Sequence, residues 1–464
     1  MMRWFRTCVF VTTLLVSASW LSEARAWYPY SDKYNQWQST RPFNMTGWHN
    51  CVPRDHLDER IAEFQASGLN QLFWLKPIAA RPFFEAASKA GLEWQCGMRG
   101  GPDAITEIMK VNGCSAVLVS DEPNTVGLKT DAERDAAFEK LRSDIAWVNA
   151  NHPKVLAYAN LSIAEIDLER YLSFCKPDVL SYDHYPLRFD GSTEQHFFDW
   201  MNMGREVARK HQLPYWSIIQ AYGRAPSDGT AYRMPDEADQ RFVAFTFLAH
   251  GGTGLGFFMY YGYPTDERGL SMVNDTGVKD VSRSPAVEHK YENTTPSPAY
   301  FAVRGMAPEI QNLAKALMKL RTKGDIGYAG VVPEKCKAFS PTGKLHKVEV
   351  LKESDQTALL SFFDDKAGEE YFMAVNLKHG AGLSQCDAAV TVRLTFDGSV
   401  DQIERLNRLT GRIETLKTEQ SGNERFLDVQ LPGGTGDLFK WSNGKPWDLR
   451  VEKSPAGAIS QNEG

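Results

Sequence analysis

Ala116-Val117-Leu118-Val119-Ser120-Asp121-Glu122-Pro123 decides the fold: four apolar residues, one serine, two carboxylic acids and a proline. A short apolar run flanked by turn residues reads as a strand buried on both faces, as in a parallel sheet. Charges that follow such a strand at once are what an eight-stranded parallel barrel places at its carboxyl-end face, where its chemistry gathers. Working outward, eight apolar strands alternate with helical patterns between about Phe43 and Lys323. They end near Trp48-His49, Trp74-Leu75, Cys96-Met98, Ser120-Asp121, Asn160-Leu161, Tyr182-Asp183, Ile219-Gln220 and Met259-Tyr260. Eight strand-and-helix units close a barrel. The helices are amphipathic: Phe138, Leu141, Ile145 and Val148 recur at three- and four-residue spacing, so one face packs and the other is wet. Pro82 and Pro102 stand at first helical turns, where proline costs no hydrogen bond.

After the eighth strand, Tyr261 to Pro298 is rich in Gly, Pro, Asp, Asn and Ser and has little periodicity. A segment this long leaves two readings open, a lid over the barrel mouth or a plain surface loop. A helix from Ala299 to Leu320 follows and closes the barrel. Past Gly324 the pattern turns to short strands: 390–396 alternates apolar and polar residues, and 359–363, 371–377 and 438–441 look alike. The fold class expected is α/β, a (β/α)8 TIM barrel over 27–324 followed by an antiparallel β-sandwich over 325–464 with a disordered tail.

The chain of 464 residues opens with Arg3 and Arg6, an apolar stretch from Cys8 to Leu21, and Ala24-Arg25-Ala26. This reads as a signal peptide, residues 1–26, and the apolar stretch is short of the ~20 residues a spanning helix needs. The mature protein is expected to be secreted or periplasmic, with no membrane partner after cleavage. A net charge of −6, without clustered Lys and Arg, argues against nucleic acid. Six cysteines remain after the signal peptide, Cys51, Cys96, Cys114, Cys175, Cys336 and Cys386, and in an exported protein they permit disulfides, Cys336 with Cys386 first among them. No Cys-x-x-Cys or His-Glu-x-x-His is present, so neither a metal nor another cofactor is expected. Four sequons, at Asn44, Asn160, Asn274 and Asn293, would matter only in a host that glycosylates them.

Two acids at one strand end suit cleavage of a glycosidic bond, which needs a proton donor for the leaving oxygen and a second group to meet the positive sugar carbon. Glu122 is the natural acid, and Asp121 would hold it protonated by like-charge repulsion. Neighbours on a regular strand face opposite ways, so both enter one site only if the strand breaks there. Pro123 favours such a break and biases Glu122 towards an extended backbone. The bland reading is that Asp-Glu-Pro merely opens a loop.

Ser120-Asp121-Glu122-Pro123, Asp183-His184-Tyr185-Pro186, Ile219-Gln220-Ala221-Tyr222-Gly223, the run from Leu248 to Gly252 leading into Phe257-Phe258-Met259-Tyr260, and Leu431-Pro432-Gly433-Gly434 together resemble the retaining (β/α)8 glycoside hydrolases. The likeness is greatest to β-galactosidase-like members with a trailing β-sandwich. The resemblance covers most of the mature chain. In that clan the fourth strand ends in Asn-Glu, the Glu being acid/base, and the seventh in a nucleophilic Glu. Here Asp121 replaces the Asn, and Gln220 stands where the nucleophile is expected. Two repairs follow from the resemblance. Substrate-assisted N-acetylhexosaminidases carry an adjacent Asp-Glu pair, which implies that Asp121 orients a substrate acetamido group while Glu122 is acid/base. Alternatively Asp183 is the second carboxylate, as nucleophile or as base.

The catalytic expectation is therefore Glu122, Asp121 and Asp183. Tyr185, Gln220, Tyr222, Trp48, His49, Trp74 and Tyr260 are expected to contact the carbohydrate substrate, with Lys76, Arg99 and His184 weaker candidates. Large cores use the same aromatic residues, and an Asp before a His also serves simply to orient the imidazole. Arg224 and Arg233, after the seventh strand, are of the type that holds a carboxylate or sulfate on a sugar. The alternative from another class is an inert barrel that binds carbohydrate.

Overall fold

The computed structural model describes residues 29–49, 53, 56–224, 231–262, 271–275, 294–352 and 355–450. The signal peptide, Cys51, most of the 261–298 segment, the sequon positions Thr276 and Asn293, and the terminal tail lie outside the described residues.

Eight parallel strands form a closed ring: β1 (Asn44–His49), β2 (Gln71–Trp74), β3 (Glu93–Gly97), β4 (Cys114–Asp121), β5 (Leu156–Leu161), β6 (Leu180–His184), β7 (Tyr215–Gln220) and β8 (Gly254–Gly262) pair in order, and β1 pairs with β8. Preceding this ring is α1 (Asp32–Ser39). Around it lie α2 (Leu57–Ala66), α3 (Arg81–Lys89), α4 (Gly101–Ile108), α5 (Asp131–Asn151), short helical turns over 168–175, α6 (Phe197–His211), α7 (Glu237–Ala249) and α8 (Pro298–Leu317). Every strand end read from the sequence falls within or beside an observed strand. Pro82 and Pro102 sit in first turns, and Thr130 with Glu133 forms a capping box that starts α5.

The floor of the barrel is plugged by α1. Trp37 and Tyr34 stack at 5.5 Å, Trp37 Nε1 donates to Ser115 O at 2.9 Å, and Trp216 Nε1 donates to the Tyr34 hydroxyl at 3.3 Å. Above the plug the inward residues are polar and mutually bonded. Gln95 Nε2 donates to Thr46 Oγ1 (3.1 Å) and Gln71 Oε1 (2.5 Å), while the Tyr158 hydroxyl donates to Gln95 Oε1 (2.9 Å). A buried network whose members are all satisfied stiffens a core, and this one forms a firm base for the mouth.

A short parallel strand, β9 (Val273–Asp275), extends β8 and pairs with β10 (Thr294–Pro296). Beyond the barrel stand two antiparallel sheets. The six-stranded one runs β11 (Arg321–Gly330), β13 (Thr357–Asp364), β14 (Glu370–Asn376), β20 (Gly436–Trp441), β16 (Gln402–Leu406), β17 (Ile413–Lys417); the four-stranded one runs β12 (Leu345–Leu351), β15 (Val390–Asp397), β19 (Glu424–Leu431), β18 (Glu419–Ser421). Both sheets contribute to one apolar cluster around Phe372, Phe396 and Phe439, while Leu359, Met373 and Leu438 join the barrel's own cluster.

The joint between the two parts is α7, buried on every side from Ala238 to Ala249, as a helix between two layers must be. Its Arg241 forks onto Glu309 of α8 at 3.0 and 2.7 Å, and Glu309 also accepts from Arg408 at 2.9 Å. Arg408 in turn pairs with the buried Asp437. Gly434 has φ +65°, and a Cβ there would stand 2.3 Å from the α7 backbone, so only glycine lets β20 approach. The His379 ring stacks on Phe242 at 3.7 Å, and its Nε2 lies 2.8 Å from Thr193 Oγ1.

The expected Cys336–Cys386 disulfide is not formed: both are free thiols, as are Cys96, Cys114 and Cys175. Cys336 packs against the barrel cluster beside Tyr328, whereas Cys386 is exposed in the turn before β15. Among the described residues no helix is long and apolar enough to cross a membrane.

Candidate active site

One irregularity of β4 makes the site. Leu118 pairs with Tyr158 of β5, but Ser120 pairs with Ala159 and Asp121 with Asn160, so Val119 is an extra residue, a β-bulge. A one-residue slip turns the rest of a strand over. Asp121 thereby lies beside Asn160, both facing inward, where unbroken alternation would have put Ser120 inward instead. Pairing continues one residue further through Glu122 N–H to Asn160 O at 2.9 Å. Glu122 itself has φ +44°. The strand therefore breaks before Pro123 as expected, but through a left-handed residue and not an extended one. For a residue with a β-carbon this is a sparsely populated conformation of the kind found at functional sites. It lets two neighbours share one mouth.

Asp183, on the inward side of β6, completes the group. Asn160 Nδ2 donates to Asp183 Oδ1 at 3.1 Å and reaches Asp121 Oδ1 at 3.4 Å, while Asn160 Oδ1 accepts from Ser181 Oγ at 3.1 Å. The serine fixes the amide with its NH2 toward the acids. The Asp183 and Glu122 carboxyls lie within reach of one another, and a hydrogen bond between them would need a proton on one of the two. Burial, then the charge and hydrogen bond of Glu122, hold the Asp183 carboxyl well above the usual range. Asp121 is open along one edge and crowded on the others. That crowding first and the Glu122 charge second push it up to about 6, with Asn160 opposing.

Beside the acids stands an aromatic wall. Tyr185 meets Tyr222 edge-on at 5.2 Å and lies stacked with Phe258 at 5.5 Å; Tyr232 is 5.4 Å from Tyr222. Burial, then the charge of Asp183, keeps the Tyr185 hydroxyl protonated far above neutrality. Trp48 lies below, inside the barrel, 5.9 Å from Phe258.

The remaining expected contacts lie elsewhere. Gln220 is fully buried: its Nε2 donates to the carbonyls of Arg233 (2.8 Å), Leu187 (3.2 Å) and Tyr222 (3.3 Å), and its Oε1 accepts from Leu187 N (2.8 Å). With every bond made, it pins the β6 and β7 loops together and has nothing left for a ligand. His49 and Tyr260 face outward and pack on each other at 5.1 Å and against Phe64 of α2; burial pushes His49 down to about 4. Trp74 pairs with the outward-facing Cys96, on the helix side of the wall. His184 is also outward, between Phe197 and Trp200, with Glu194 3.1 Å away. Arg233 is bidentate on Asp239, so its charge is already matched. Lys76 and Arg99 are exposed in the loops after β2 and β3. Asn44 and Asn160, which begin two sequons, are both buried.

Sequence reasoning missed Asn160, Ser181 and Tyr232. The first carried a signal, an amide at the end of the apolar strand 156–161; Tyr232 carried none, since it reaches the wall through loop pairing with Arg188 and Arg224.

No family model and no curated protein matches the chain. Among solved structures it is similar to a β-galactosidase from Bacillus circulans sp. alkalophilus, at 8% identity and TM-score 0.52 over 87% of this chain and all of that one. A family 39 glycoside hydrolase from Bacteroides cellulosilyticus is matched at 12% identity and TM-score 0.43, over 87% of this chain and 81% of that one. At 8% identity the likeness to the B. circulans enzyme is one of fold.

Proposed function

We propose that the chain is an exported glycoside hydrolase that cleaves O-glycosidic bonds of an oligo- or polysaccharide, with Glu122 as general acid/base. The observation that carries this reading is the convergence of Asp121, Glu122 and Asp183 around Asn160 at the carboxyl ends of β4, β5 and β6, against a wall of tyrosines. The fold shared with the B. circulans β-galactosidase agrees with it by analogy only.

Glu122 is exposed and stands beside Asp183, whose carboxyl is held well above the usual range by burial and the Glu122 charge, which favours a proton shared by the pair. In this scheme the shared proton passes through Glu122, the exposed member, to the leaving oxygen, and the half-buried Asp183 behind it is left as the carboxylate. Asp121, at about 6, is mostly ionised at pH 7. It is suited to accept the N–H of a 2-acetamido group whose carbonyl oxygen attacks the anomeric carbon. Glu122 then takes a proton from the water that completes hydrolysis. Because Gln220 is buried and committed, no carboxylate from β7 is needed in this scheme.

The test is release of the aryl group from aryl glycosides with and without a 2-acetamido substituent, by wild type and Glu122→Gln. Release confined to acetamido sugars, with the variant down about 10² to 10⁴-fold, supports the scheme. Release from plain sugars moves the second role to Asp183 or to direct attack by Asp121. No release with glycan binding retained in Glu122→Gln favours the inert barrel.

A further inference from the structure

We propose that Arg188 binds an anionic substituent, a carboxylate or a sulfate ester, on the carbohydrate held in the mouth; the inference rests on the glycosidase reading and adds a substrate class to it. Arg188 follows β6 and is half-buried. Its guanidinium carbon lies 5.0 Å from the centre of the Tyr232 ring, and that ring is 5.4 Å from Tyr222 and 6.2 Å from Tyr185. The cation thus stands at one end of a run of tyrosine rings, another member of which, Tyr185, feels the charge of Asp183.

The acids around Arg188 are already engaged. Asp190 takes both bonds from Ser192 on one oxygen, Oδ1, from the backbone N at 2.9 Å and from Oγ at 2.6 Å, and the Arg188 charge acts on it only as the smallest of several influences. Glu194 faces His184 at 3.1 Å, and Asp239 is bidentate on Arg233. Among the described residues no carboxylate is within ion-pair range of Arg188. A guanidinium has five N–H donors, and a ring face offers them no acceptor in their own plane. The planar fork matches a carboxylate or sulfate through two parallel bonds.

Electrostatics add a second reason. Three carboxyls in one mouth repel an anionic chain, so a substrate of that class needs a cation at a fixed distance from them. Burial raises the Tyr222 hydroxyl pKa, and Arg224 and Arg188 pull against it, which places their positive potential on the wall itself. Arg188 is also held in place. Its backbone pairs with Tyr232, and Leu187, one residue earlier, is anchored by Gln220.

The test compares aryl glucuronide, aryl galacturonide and a 6-sulfated aryl 2-acetamido-glucoside with their uncharged counterparts, for wild type and Arg188→Gln. Calorimetric binding of oligogalacturonate, of a chondroitin sulfate oligosaccharide and of neutral xylo-oligosaccharide runs alongside. Expected is a preference for charged substrates in kcat/KM that Arg188→Gln reduces about tenfold to a hundredfold while neutral turnover holds. The uronide and sulfate arms identify which anion is taken. Equal turnover of charged and neutral sugars, unmoved by Arg188→Gln, overturns the inference and leaves the glycosidase reading standing. Arg188-dependent, salt-sensitive binding of a charged oligosaccharide with no cleavage sustains the anion site and rejects the enzyme. Neither cleavage nor binding of any charged sugar overturns it.

Discussion

Val119 separates an outward-facing serine from an inward-facing aspartate at the barrel mouth. Because the bulge turns the strand over, Asp121 faces Asn160 and keeps company with two other carboxyls. Its raised pKa has a sign that can be checked. The folded state favours protonated Asp121, so its ionisation costs stability: the penalty is absent below the unfolded value near 4 and complete above about 6. Asp121→Asn is therefore expected to melt at the wild-type temperature near pH 4 and above it at pH 7, in a thermal series across that range. On the proposed scheme the activity profile has an acid limb near pH 6 set by this group, and Asp121→Asn is expected to lose it along with most turnover. At this scale the sequence was half legible. Pairs at strand ends, such as Trp48-His49, were read as sites whole, yet alternation sends one inward and the other into the helix layer. The bulge and the left-handed Glu122 leave no local mark, for they arise from pairing with β5.

Elements were more legible than residues. The barrel strands were legible because they are buried along their length and their outward residues are mostly apolar, even where inward ones such as Thr46, Gln71 and Gln95 are polar. Prolines marked two helix starts by local chemistry alone. The plug helix α1 was not foreseen: its Tyr34 and Trp37 make sense only beneath a closed ring. Trp37→Ala removes a ring that is 4% exposed and is expected to cost about 3 to 5 kcal/mol in chemical denaturation, as large core truncations do. At the end of α7, His250 donates from Nδ1 to Thr246 O (2.7 Å), and burial pushes its pKa down to about 3. Its stabilisation is complete above the unfolded value near 6.5 and is lost as pH falls towards 3, at up to about 1.4 kcal/mol per unit. His250→Gln should consequently lose less melting temperature than wild type between pH 6.5 and 4.5.

Across the whole molecule, barrel and sandwich were separable in the sequence because their periodicities differ, but their joint was not. The Leu431-Pro432-Gly433-Gly434 run gave no hint that it abuts α7, and the Arg241–Glu309–Arg408–Asp437 chain links residues up to 196 positions apart (437 − 241). Removing one partner of such a buried set strands the others. Glu309→Gln is expected to lower stability by about 3 to 5 kcal/mol, and calorimetry of the wild type should give one endotherm for both parts, since they share an apolar cluster.

His379 belongs to the sandwich, yet it touches Thr193, which bridges Leu187 next to Arg188. The strap that carries Arg188 is therefore shored up from the sandwich. A change in the sandwich at His379 would thus reach the backbone beside Arg188 without altering a single barrel residue.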